Sequence, residues 1–395
     1  MQDVSRRRLL GNLGLSLAGL GGLSLVNLTL PAGASAQPAP GAPLFPATLK
    51  DPAQPLIWIT CDTEAQPGRA EKDHVNRLIW GKNPRGEFGI GRMMDLCDRH
   101  GAAMTFFLDY CEEDRYGNDI ANVAREIKRR RHDVQLHSHP DNLIKTLTPD
   151  GQPFAKLSKS IPPEQAPILA ELLQHRHTAA VGEPAVAFRG GGYGYNKPLL
   201  AALRQVGVKI DSSYVADRDY GATSEQSVLF GPARPFYWPD GTLEVPVGVL
   251  SDLAGTSHAA EFNFHDRLLL ENRENIPLFM GQYFNTFGPR SILVLVMHSW
   301  EFLNLDATVS PFFTDENPER IQNFENFLIY AKSVWNAQFV TGPDIVAMAQ
   351  TQGALEKDHR DDAGNLVDKD GNRLPPKTPE GELPSDADPE SEPAP

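Results

Sequence analysis

Cysteine is scarce in this chain. Cys61, Cys97 and Cys111 are the only three among 395 residues, and none sits at a spacing used by zinc-binding thiolates. An odd count leaves at least one thiol free; Cys97 and Cys111 can pair, but nothing around them demands it. Beyond the first ten positions basic residues cluster only at one short helix end, Lys128-Arg129-Arg130-Arg131, and 37 Lys and Arg against 51 Asp and Glu give a net charge of −14. The electrostatic footprint of a nucleic-acid binder is therefore absent. The glycine run Gly190-Gly191-Gly192 follows an arginine and lacks a trailing Lys-Ser/Thr, so it matches neither a phosphate-binding loop nor a dinucleotide fingerprint. A long apolar run is lacking as well: Leu9–Leu30 is broken by Gly, Ser and Asn and makes a poor membrane-spanning helix.

What is present begins with targeting. Ser5-Arg6-Arg7-Arg8-Leu9-Leu10 fits the twin-arginine export pattern, and Ala34-Ser35-Ala36 supplies small residues for cleavage before Gln37. The expectation is a signal peptide over 1–36, use of the twin-arginine translocation machinery, and a periplasmic or secreted mature chain without a stable membrane span. Residues 37–55 are rich in Pro and Ala and read as a linker. Residues 356–395 hold 12 acids, 5 bases and no aromatics, so the stretch 355–395 reads as a disordered acidic tail.

Between these lie short apolar runs alternating with amphipathic stretches. Strands are expected at 56–61, 103–108, 133–137, 185–189, 207–211, 243–247, 291–297 and 337–340. Helices are expected at 90–100, 118–131, 163–178, 196–206, 262–280, 317–335 and 343–352. This alternation predicts an α/β fold in which parallel strands are joined by crossover helices, a deformed (β/α) barrel of about seven strands in one catalytic domain over 56–354. The segment 216–290 is longer than one barrel unit needs and predicts an insertion, with an extra hairpin around Phe236–Val247.

The chemistry gathers at predicted strand ends. Leu56-Ile-Trp-Ile-Thr-Cys-Asp62-Thr-Glu64 is an apolar strand delivering two carboxylates two residues apart, hence on one side of extended chain. Like charges that close repel unless a cation or a shared proton separates them. Asp133-Val-Gln-Leu-His137-Ser-His139-Pro-Asp141 ends a second strand with two imidazoles, and imidazole plus carboxylate is a ligand set for Zn²⁺ and related ions. Phe188-Arg189-Gly-Gly-Gly-Tyr193-Gly-Tyr195 puts freely turning backbone after an arginine. Asp211-Ser-Ser-Tyr214 follows the run Val206–Ile210, and Ile292–Met297 ends in His298-Ser299-Trp300-Glu301, which offers a general-acid candidate.

These five blocks, in this order over about residues 55–350, resemble the polysaccharide deacetylase family (carbohydrate esterase family four, with the nodulation-factor deacetylases). The resemblance implies a deformed (β/α) barrel holding one divalent ion, Zn²⁺ foremost with Co²⁺, Ni²⁺ or Mn²⁺ as alternatives, and hydrolysis of N- or O-acyl groups on a cell-wall or capsular glycan. By the same resemblance Asp62 is the base, Arg189 its orienting partner, and His298 the acid. Asp211 would tune His298, Tyr193 and its neighbouring backbone would face the oxyanion, and Trp300 beside His298 would face substrate. Glu64 and His137 are implied as metal ligands. The family spaces its histidines i, i+4, and that position is Asp141 here; His139, which preserves the ligand type, is preferred as the third ligand, with Asp141 as the alternative. Family members carry Arg-Pro-Pro-Tyr-Gly where this chain has Arg-Gly-Gly-Gly-Tyr-Gly. The loosened loop leaves two other functions open: C–N hydrolysis of a small amide or ureide, as in relatives of the superfamily, and a non-catalytic glycan-binding barrel.

Overall fold

The computed structural model describes residues 53–215, 234–251, 257–259, 281, 283–306, 312–360, 365–368 and 370–374. The predicted signal peptide, nearly all of the linker, the helix expected at 262–280 and most of the 216–290 insertion lie outside the described residues.

The main sheet takes its strands in the expected places. They are β1 (Leu56–Thr63), β2 (Thr105–Asp109), β3 (Asp133–Ser138), β4 (Ala187–Gly190), β5 (Ile210–Asp211), β6 (Phe236–Tyr237), β7 (Leu243–Glu244), β8 (Leu293–His298) and β9 (Gln338–Phe339). Their order is β8-β1-β2-β3-β4-β5-β7-β6. The first seven of these pair in parallel. β6 closes the row as the antiparallel partner of β7, the hairpin expected near Phe236–Val247, and β9 pairs with the start of β1. The crossovers include α1 (Ile90–Arg99), α2 (Asn118–Arg129), α3 (Ala166–Val181), α4 (Lys197–Gln205) and α5 (Pro318–Ser333), and α6 (Gly342–Ala349) follows the last strand of the sheet.

β1 is buried along its whole length, as a central parallel strand covered on both faces must be. Its residues alternate between two cores. Ile57, Ile59 and Cys61 pack outward with α1–α3 residues such as Met94, Val123 and Leu173. Leu56 and Trp58 pack inward with Phe107 from β2, Leu243 from β7, and Val294 and Val296 from β8. Strands from opposite ends of the row thus share one inner core, which a flat sheet forbids. Arg189 on β4 reaches Asp62 on β1 at 2.8 Å, although three strand spacings of a flat sheet would span about 14 Å. Gly248, just past β7, lies where an added Cβ would fall 2.9 Å from the Leu293 side chain of β8. The sheet is therefore curled into a deformed (β/α) barrel.

All three cysteines are buried and free, so Cys97 and Cys111 do not pair. Residues His359–Arg360 and Leu366–Val367 form an antiparallel ladder within the stretch expected to be disordered from 355. Composition hid two anchors: Leu355 is buried in the inner core, and the Asp358 carboxylate accepts the Arg234 backbone N–H at 2.9 Å.

Candidate functional site

The C-terminal ends of the parallel strands gather the polar residues, as parallel α/β architectures do. The inward register continues past Trp58 to Thr60, Asp62 and Glu64. The same parity on β3 turns His137 inward, and on β8 it turns His298, which is in register with Asp62.

Glu64, His137 and His139 converge, with one ligand atom from each lying within 4.8 Å of the others. His139 Nε2 is 3.1 Å from Glu64 Oε2, and His137 Nε2 is 3.9 Å from Oε1. His298 Nε2 is also 3.9 Å from Oε1. Burial opposes charge on Glu64, but His139, His137 and His298 override it and hold the carboxyl below the usual range. His139 is likewise opposed by burial, yet Glu64 carries its pKa up to about 10. Burial lowers that of His137, which favours the neutral imidazole that ligation requires. Asp141 is exposed and stands outside this group.

The donor set fits a divalent cation, and an observation apart from the set agrees. Both ring nitrogens of His137 are buried without a hydrogen-bond partner, a costly arrangement unless something binds there. Asp62, Glu64, Asp109 and Glu112 are also all buried. Such a concentration of carboxylates is unfavourable without added positive charge or protons.

Asp62 is held by Arg189. Nη1 donates to Asp62 Oδ1 and to Thr60 Oγ1, both at 2.8 Å, while Nε donates to the Ser212 carbonyl at 2.9 Å. The guanidinium is fully buried and lies 4.4 Å from the centre of the Phe107 ring. His298 stacks on Trp300 with ring centres 5.0 Å apart. Trp300 is itself 5% exposed, and the Arg69 guanidinium lies 4.7 Å from its ring centre. It therefore packs as a support for His298 rather than as an open platform for a sugar.

The glycine loop has a specific shape. Gly192 and Tyr193 both take left-handed backbone, φ 58° and 59°, strained for tyrosine; the Tyr193 ring packs into the inner core. At Gly191 an added Cβ would lie 2.6–2.7 Å from Cε1, Nδ1 and Nε2 of His139. The imidazole occupies the space that any side chain at 191 would need. Short histidine spacing and a glycine loop, the two departures noted from the sequence, are thus two halves of one packing solution.

Asp211 is not brought to His298. Its Cα partner Phe188 faces the outer core, so the Asp211 carboxylate leaves the sheet on the side away from His298. It accepts the Ser213 hydroxyl at 2.6 Å and lies opposite Glu244 on the neighbouring strand. Two buried acids were not singled out from the sequence. Asp109 ends β2, much as Asp62 lies one residue before the end of β1, a signal that the strand-end reading of block one also covers. Glu112 sits one turn later, inside a Glu-Glu-Asp run that resembles a solvated surface stretch.

No protein-family model matches the chain, and no curated protein does. Among solved structures it is similar to one described as a polysaccharide deacetylase of Mycobacterium smegmatis, with 16% identity and a TM-score of 0.46, covering 78% of this chain and 94% of that one. It is also similar to a family 4 carbohydrate esterase of Streptomyces lividans solved with acetate, with 10% identity, a TM-score of 0.36, and coverage of 74% and 96%. A third is a CE4-family pseudoenzyme of Bacillus anthracis, with 10% identity, a TM-score of 0.38, and coverage of 73% and 65%.

Proposed function

We propose that this chain is a metal-dependent hydrolase that removes an acyl group, acetyl foremost, from a carbohydrate. The observation that carries the reading is the Glu64/His137/His139 cluster lying beside an Arg189-bound Asp62, with His298 also close to Glu64. Glu64, His137 and His139 would hold one divalent ion, Zn²⁺ or a related borderline metal. When bound, that ion would acidify water and polarise the acyl carbonyl.

The chain's own residues do the rest. Asp62, kept in place by Arg189, takes the proton of the attacking water. The backbone around Gly191–Tyr193, bent so that it lies against His139, faces the oxygen on which negative charge develops. His298, braced by Trp300, gives a proton to the departing amine or alkoxide. Each proton transfer is worth about 10²–10⁴ in rate. The twin-arginine pattern at 5–10 supports export to the periplasm or beyond, where cell-wall and capsular glycans are found.

Elemental analysis of the purified chain, beside His139→Ala, tests the site, and an acetylated-glycan panel set against small amides tests the substrate. About one metal per wild-type chain, lost in the variant, with acetate released from a glycan, is the expected result. Activity on small amides alone would shift the reading to C–N hydrolysis of an amide or ureide. A chain that takes up no metal after reconstitution would be a glycan-binding barrel.

A further inference from the structure

Three side chains outside the proposed ligand set converge on its backbone. Glu112, fully buried, accepts the Ala65 N–H on Oε2 at 2.7 Å, directly after Glu64. Ser299, also fully buried, grips Glu64 from the other side: its hydroxyl donates to the Glu64 carbonyl at 3.0 Å and accepts the Glu64 N–H at 3.4 Å. Asp109 accepts the His139 N–H on Oδ1 at 3.2 Å and the Asn142 side-chain amide on Oδ2 at 2.9 Å. The same Oδ1 accepts the Cys111 N–H at 3.0 Å, so the turn carrying Glu112 is tied to Asp109.

A purely structural account explains little of this pattern. Backbone N–H groups at strand ends are ordinarily satisfied by water or by a hydroxyl. Here two of them are met by fully buried carboxylates, an expensive choice of acceptor. Both belong to the short turns that carry Glu64 and His139. Each of these bonds fixes the direction in which the adjacent side chain leaves the backbone.

We infer that Asp109, Glu112 and Ser299 are positioning residues that set the Glu64 and His139 donor atoms for one divalent cation. The inference rests on the reading of Glu64, His137 and His139 as ligands. The β2 tip and the β8 tip then act as a clamp on the β1 and β3 tips. Such outer partners orient metal ligands, and removing one costs about 10–100-fold in metal affinity.

The test is titration of the metal-free full chain with Co²⁺, read by competition affinity and by the visible absorption band of the bound ion. Ser299→Ala, Glu112→Ala and Asp109→Ala are compared with wild type, with His139→Ala as the ligand control. Glu112→Gln is the conservative variant, because its amide oxygen can still accept the Ala65 N–H. Expected are affinity losses of about 10–100-fold and a shifted band in the three alanine variants, with Glu112→Gln recovering most of both. Ser299→Ala removes a single oxygen, so it reports even if a carboxylate variant fails to fold. Folded alanine variants with wild-type affinity and spectrum, alongside a His139→Ala chain that has lost the metal, would overturn the positioning role and leave the ligand set standing. A wild-type chain that binds no Co²⁺ would overturn both.

Discussion

The barrel buries two pairs of carboxylates, and they have opposite fates. Asp62 and Glu64 sit two residues apart on one strand, and each is met by positive groups: Arg189 for the first, three histidines for the second. Asp211 and Glu244 sit opposite each other on neighbouring strands and meet mainly one another, with Ser213 and Trp238 adding hydrogen bonds. Burial pushes Asp211 up to about 6, and burial, followed by Asp211 itself, pushes Glu244 well above its usual range. Residue type and depth are alike in the two pairs. What differs is the company, and company decides whether a buried acid stays charged and can hold a cation or keeps a proton and acts as a neutral hydrogen-bonding group.

The widest gap between the pairs should appear in turnover. Asp62→Asn keeps the shape and one acceptor for Arg189 but removes the base, so kcat should fall by about 10²–10⁴ while metal content stays near wild type; thermal stability should fall as well, because the buried Arg189 loses its counter-charge. Steady-state kinetics with elemental analysis on the same sample checks it. A variant retaining most of its turnover would put the base elsewhere and erase the contrast.

Next in size is Gly191→Ala. The new methyl would need the space of the His139 ring, so either the loop or the imidazole must move. Metal affinity should drop by about 10–100-fold, as when a ligand loses its orientation, whereas Gly192→Ala, with open space around its Cβ but φ at +58°, should strain the loop and touch the metal less. Equal affinities for wild type and Gly191→Ala would separate the glycine loop from the ligand set.

The Asp211–Glu244 pair should show itself in stability rather than catalysis. Its acids are raised above their unfolded values, so the folded chain keeps protons that the unfolded chain releases. The Asp211 share of that contribution is full below about pH 4 and is lost as pH rises through about 6, where Asp211 gives up its proton in the folded chain. Asp211→Asn should flatten the fall in thermal midpoint between pH 4 and 6, at roughly 2–4 °C for each kcal/mol, with kcat within about threefold of wild type, below 1 kcal/mol of barrel chemistry. A loss of turnover on the scale of Asp62→Asn would instead restore Asp211 as a partner of the acid.

How much of this was legible depended on whether local spacing decides the outcome. The strands of the main sheet were, because apolar periodicity is local; so was the shared side of Asp62 and Glu64, set by strand parity. Ligand type favours His139 over Asp141, and His139 is the one of the two whose donor atom lies near Glu64 and His137. Asp211 went astray because its face depends on its register with Phe188, a contact between chain segments that spacing does not encode. Adjacency to His298 suggests a substrate role for Trp300, whereas the ring is buried against Ala70, Leu78 and Leu303, with the Arg69 guanidinium beside it. Asp109 and Glu112 were passed over because a carboxylate that accepts a distant backbone N–H looks, in sequence, like any surface acid. The ladder at 359–367 was missed for a related reason: its anchors Leu355 and Asp358 are single residues in an otherwise polar stretch.

The smallest effect sharpens the same comparison at its edge. Asp141 is two residues from His139 and is the residue that an i, i+4 histidine spacing would have replaced. Its side chain is exposed, its backbone is tied to Lys156 and Arg115, and its charge is the least of the influences that raise His139, behind Glu64 and Asp109. An exposed carboxylate acting through solvent contributes little, and salt screens it. Asp141→Ala should therefore keep one metal per chain and weaken Co²⁺ binding by no more than about twofold to fivefold, corresponding to the roughly 0–1 kcal/mol of an exposed charge pair. That deficit should shrink further between low and high salt, which isothermal titration at two ionic strengths would resolve. A loss as large as that of His139→Ala, insensitive to salt, would make Asp141 a ligand and move the cation site outward from the buried cluster.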